Sequence, residues 1–155
     1  MSSVLYFNPD GVVYESHAHS NADIAGLVHD RGLENLTSAD HQFDFWFTPS
    51  PPRCRRKVNC SATEMLLATT GFTAKTVPLL HGGVVVASHD SAGEPDGLSG
   101  QQLDLLIENS CTLTRCDDRV LGRRITRDER RQQRNLVATV AATIRRVGHS
   151  LLGAD

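Results

Sequence analysis

Three groups of residues have the types and spacings that chemistry needs. His17 and His19 stand at i and i+2, with Asp23 four residues further on. On an extended segment two such imidazoles point to one side, and a carboxylate near them could complete a divalent-metal site. Cys54 and Cys60 form one cysteine pair and Cys111 and Cys116 another, and two distant pairs could converge on one tetrahedral zinc. Strong zinc signatures leave two residues between paired cysteines, and neither pair does, so reduced thiols and no cofactor are expected. Cys54 also sits among Arg53, Arg55, Arg56 and Lys57, whose charge would lower a thiol pKa. His89-Asp90 could supply a base with its orienting carboxylate. No spacing ties these groups into a nucleophile, base and orienter set, which argues for a protein that is not an enzyme.

A fourth group is suited to binding. Arg127, Arg130, Arg131 and Arg134 crowd a segment with helical spacing, beside Asp128 and Glu129. Such a face suits phosphate or an acidic protein surface. No aromatic is interleaved, which argues against stacking on single-stranded bases. Just beyond, Val137, Val140, Ile144, Val147 and Leu151 recur at spacings of three and four, a heptad seam. A stripe this apolar must dock on something. The first expectation is the protein's own sheet, with the arginine turns projecting past it; the second is the same helix of a homodimer.

The elements that would position these groups follow from pattern. Val4 to Phe7 and Val12 to Glu15 flank a Pro-Asp-Gly turn, a β-hairpin. Ser20 and Asp23 read as a capping box for a helix that Gly32 stops, and Ser61 and Glu64 as another for a helix that Gly71 stops. Phe43 to Phe47 is the clearest strand, Phe72 to Val77 a short one, and Gly83 to Ser88 a buried one. Residues 33–42 read as loop. A helix is expected from Ser99 to about Asn109, an irregular connection over 110–125, and a last helix from Thr126 to about Leu152, with Thr126 and Glu129 as its capping box. His81-Gly82-Gly83 reads as a tight turn. The mixed, non-alternating order predicts an α+β fold. It would have a small mixed or antiparallel sheet, packed helices and a long C-terminal helix. Residues 1–110 would form the body, and 111–155 a connection plus the Arg-rich helix, in the same domain or as an appendage.

The totals agree with one globular domain of 155 residues, with 39% hydrophobic and 22% charged residues. No run approaches the ~18 apolar residues of a spanning helix, and the first residues lack a basic, apolar leader pattern, so a cytoplasmic protein with no membrane partner is expected. The net charge of −2 conceals an asymmetry. Residues 1–110 carry 6 basic and 13 acidic side chains, and residues 111–155 carry 10 arginines and 5 acids. An acidic body with a basic tail suits an acidic partner.

Two stretches resemble known families. Leu79 to Val86, followed by His89-Asp90, Gly93 and Gly97-Leu98-Ser99, is similar to the closing segment of some small uncharacterised phage and plasmid proteins. That resemblance covers about a fifth of the chain and implies an accessory protein of a mobile element. His17-Ala18-His19 with Asp23 resembles the opening metal motif of PHP-type phosphoesterases, with the acid one residue out of place. The leading expectation is a non-enzymatic regulatory protein that contacts a host protein through the Arg-rich helix. The alternatives are a DNA- or RNA-binding factor using the same arginines, and a small metal-dependent hydrolase using His17, His19 and Asp23.

Overall fold

The computed structural model describes residues 3–49, 51 and 56–152, the last four of these by backbone alone. The expected hairpin forms from β1 (Ser3–Phe7) and β2 (Val13–His17). Its turn closes through Asn8 N–H to Val12 O at 2.9 Å and Gly11 N–H to Asn8 O at 3.0 Å, with Gly11 at φ 91°. Helix α1 (Asn21–Val28) starts at Ser20 and Asp23 as their spacing predicts. It ends at His29 in the left-handed conformation, three residues before Gly32. Strands β3 (Glu34–Thr37) and β4 (Asp44–Phe47) pair next. Helix α2 (Cys60–Thr69), β5 (Val84–His89), the two-residue β6 (Pro95–Asp96), α3 (Gly100–Ser110) and α4 (Arg115–Leu152) complete the chain.

The sheet runs β2-β1-β5-β4-β3, with β6 added to β5, and every pairing is antiparallel. This is the expected α+β class. Alternation gives each strand two faces. Phe7, Phe45, Phe47, Val84 and Val86 pack with Leu66, Leu106 and Leu121 of the helices and with Leu80 of the segment before β5. Val4, Val85 and Ala87 pack on the other side with Ile24 and Val28 of α1. Both faces of the central strands are thus already covered.

Three local expectations are corrected. Residues 34–37, read as loop, are an edge strand; only Leu36 packs against the core, so the apolar alternation that marks a strand is nearly absent. Phe72 to Val77 is not a strand. Thr76 N–H bonds Thr73 O at 3.0 Å and Thr73 N–H bonds the Thr76 hydroxyl, a turn that drops Ala74 and Val77 into the core. Ser61 does not cap α2, because Asn59 does so two residues earlier.

Asn59 is wholly buried and fully satisfied. Its Oδ1 accepts from Ala62 N–H at 3.1 Å, and its Nδ2 donates to Phe7 O and Gly82 O, both at 2.8 Å. One side chain thereby joins the start of α2, the end of β1 and the turn before β5. Next to that turn, Tyr6 lies over Gly83 and stacks on Tyr14, with ring centroids 6.4 Å apart. A Cβ at Gly83 would fall 2.6 Å from Tyr6 Oη. Gly83→Ala should therefore displace the ring and lower stability by ~1–3 kcal/mol, read from urea melts. The same change in a Tyr6→Leu background should cost less. An equal loss in both backgrounds would contradict the ring as the cause.

Candidate functional site

Helix α4 begins eleven residues earlier than its pattern suggests, at Arg115 rather than Thr126. Thr114 and Asp117 form the capping pair: Asp117 N–H donates to Thr114 Oγ1 at 3.1 Å and Thr114 N–H to Asp117 Oδ2 at 3.0 Å. The Thr114 N–H and then the Thr114 hydroxyl, both donating to Oδ2, hold the Asp117 carboxyl below its ordinary pKa. The segment 115–125 is therefore helical, and Thr126 lies inside the helix and starts nothing. The packing supports this placement, since Leu121 is buried and Val120 and Ile125 lean on the main core.

One side of the first half of α4 is held by the body. Arg124 donates to Ala74 O at 2.8 Å. Asp128, nearly buried, sits 3.0 Å from His81 Nε2 and accepts from Arg131 at 2.9 Å and from Gln132 at 2.6 Å. Burial pushes the Asp128 carboxyl up, but the bonds from His81, Arg131 and Gln132 outweigh it, and its pKa lies below the usual 3.8. A carboxyl depressed by folding adds stability that is complete above its unfolded pKa and is lost as pH falls through the lower folded value. The difference in stability between wild type and Asp128→Asn should therefore shrink between about pH 5 and pH 2. A difference that stays constant over that range, followed by urea melts, would exclude the charged form of Asp128 as the fastener.

The opposite side of the same turns faces solvent. Arg119, Arg123, Arg127, Arg130 and Arg134 follow one another at spacings of four, four, three and four, and all are exposed. Together with Asp118, Gly122, Thr126 and Arg131, they line a shallow open concavity of about 850 Å³. Among the described residues none of the five is in a salt bridge, whereas Arg131 is tied to Asp128. Of the four arginines singled out from sequence, three belong to this row, and Arg131 is bonded to Asp128 instead. Arg119 and Arg123 extend the row; they escaped notice because the segment carrying them reads as an irregular connection.

Beyond the row the helix leaves the body. Val137, Val140, Ile144 and Val147 are 63%, 50%, 66% and 55% exposed. Leu151 is helical, but its side chain is outside the described residues. The expected docking of this stripe on the sheet does not occur, and the arginine turns, expected to project, are the ones held. Both sheet faces are already covered. At about 100° per residue the stripe also centres roughly 120° around the helix from Leu121, away from the side that meets the body. The arginine row centres roughly 200° from Leu121, so the stripe follows it along the helix but is turned by about 80° from it, and both face away from the body.

The other candidates do not assemble. The Asp23 carboxylate accepts His19 N–H at 2.9 Å, the first of the bonds that lower its pKa, and so acts as a cap beside exposed His17 and His19. Cys60, Cys111 and Cys116 are exposed free thiols on separate helix ends, and Cys54 lies outside the described residues. Burial, then the charges of Glu64 and Glu129, raise the Cys60 pKa, which works against a thiolate. Among the described residues no group of three or more His, Cys, Asp or Glu is placed to hold a metal. No helix there is long and apolar enough to cross a membrane. His89 does gain an orienting carboxylate, but from Asp44 at 2.8 Å, while Asp90 caps its own turn. Asp44 also accepts the Thr37 hydroxyl at 2.7 Å, so the group ties β3, β4 and β5 together. Among the described residues no serine, threonine or cysteine is bonded to the His89 ring, and the Thr37 hydroxyl is turned to the carboxylate instead.

Comparison of the chain with protein-family models, with curated proteins and with solved structures finds no match.

Proposed function

We propose that this protein is a non-enzymatic nucleic-acid-binding factor that contacts backbone phosphates through the outward face of α4. One observation carries the reading: five exposed arginines, free of carboxylate partners among the described residues, form a single row. The row is about 22 Å long at a rise of ~1.5 Å per residue. A duplex presents roughly one negative charge per 1.7 Å, so a straight cationic row of this length meets many phosphates at once. The acidic body is repelled by the same ligand, which leaves the helix as the contact. With no aromatic side chain in the row, contact falls on phosphates rather than on stacked bases, and binding is largely independent of sequence.

A protein partner, the first expectation from sequence, remains the second reading, because the apolar stripe adjoins the row. Salt separates the two. Binding of a fluorescently labelled duplex, followed by anisotropy, should weaken by ~10²-fold or more between 50 and 200 mM salt if five phosphates are neutralised. Affinity that is absent at low salt, or that ignores salt, would refute the nucleic-acid reading.

A further inference from the structure

We propose that the apolar outward face of distal α4 pairs with the same face of a second copy of this chain. The two helices would run antiparallel about a two-fold axis midway between Val140 and Ile144, which sets Val137 against Val147 and Val140 against Ile144 of the second copy. From Leu136 to Ile144 no residue is charged, and the side chains flanking the seam (Leu136, Ala141, Thr143 and Gly148) are uncharged or small. The partner face must therefore also be apolar and neutral, which this face is for itself. It points away from the body, so a second helix can approach without meeting the sheet. The five large side chains from Leu136 to Val147 are half or more exposed. They offer on the order of 500 Å² per copy, so a symmetric pair reaches roughly the 1,000 Å² at which specific interfaces begin. That area implies a weak, concentration-dependent dimer.

Charge sets the direction. Charges at the positions directly flanking a seam usually decide helix orientation; here those positions carry none, and Arg145 and Arg146 point to other sides of the helix, so the regions beyond the stripe decide. A parallel pair would lay Arg119, Arg123 and Arg130 of one copy along the same arginines of the other, and would bring two acidic bodies together. An antiparallel pair keeps both rows and both bodies at opposite ends, and opposes the helix dipoles favourably. The inference does not depend on what the arginine row binds.

Sedimentation equilibrium of the full chain tests it. The mass should rise from 16.9 kDa towards twice that value as concentration approaches about 200 µM. Val140→Glu with Ile144→Glu should remain monomeric, with an unchanged thermal midpoint because neither side chain touches the body. Ala142→Glu, on the far side of the helix, should leave dimerisation intact. For the antiparallel pair, dissociation should change less than about threefold between 0.05 and 0.5 M salt; a parallel pair should tighten tenfold or more as its arginine rows are screened. A wild-type protein that stays at 16.9 kDa would overturn the dimer and leave the stripe to a different protein. Strong tightening with salt would overturn the orientation.

Discussion

Replacing Asn59 with Ala should remove about 3–4 kcal/mol of stability, on the order of a third of what a domain of this size possesses. Three losses combine. The cap on α2 disappears, which costs ~1 kcal/mol. Phe7 O and Gly82 O are each left without the donor that now lies 2.8 Å away, in a place water does not reach. A buried acceptor stripped of its partner costs ~1–3 kcal/mol. The aspartate variant isolates the donor half: Asn59→Asp keeps an acceptor for Ala62 N–H but turns a second oxygen towards two carbonyls. It should be at least as damaging as alanine. Chemical denaturation of the three proteins decides, and an Asp variant as stable as wild type would show that the cap, not the two carbonyl bonds, accounts for the residue.

How much of this was legible depended on whether local pattern or distant pairing set each feature. Ser20 with Asp23, the Asn8–Gly11 turn and the β5 run are local, and pattern located them. Asn59 was hidden because its partners lie 52 and 23 residues away, while Ser61-x-x-Glu64 offered a plausible cap close by. Asp44 was visible only as an acid inside an aromatic strand. Its pairing with His89 follows from the register, since Asp44 faces Ala87 across the ladder and His89 lies two residues on, on the same face. The start of α4 was mistaken because two capping patterns compete, Thr114-Asp117 and Thr126-Glu129. Burial of Leu121 decides for the first, and burial cannot be read from a segment dense in arginine. The heptad seam was correctly seen as apolar, but periodicity does not say which way a stripe faces. That required knowing that Leu121 and Asp128 occupy the body side.

Changing Arg119, Arg123 and Arg130 together to Gln should weaken duplex binding by about 100-fold at low salt, at on the order of 1 kcal/mol for each phosphate no longer neutralised. The slope of log affinity against log salt should fall by about 2.7, since every phosphate given up releases ~0.9 fewer counterions. The three side chains are exposed and unpaired among the described residues, so the fold should be unaffected and thermal melts should superimpose. The triple lysine variant carries the sharper test. The slope counts charges, and lysine keeps them, so Lys should restore the slope even where affinity falls short of the arginine protein. A carboxylate-rich protein surface would instead depend on the paired guanidinium donors, and lysine would not rescue it. Arg145→Gln with Arg146→Gln supplies the positional control. These lie within the span of the apolar stripe, outside the row, and should change the slope by less than any two members of it. Should that pair matter as much as Arg119 and Arg123, the ligand would be sensing net charge rather than a built row, and the face proposed for α4 would have no special standing.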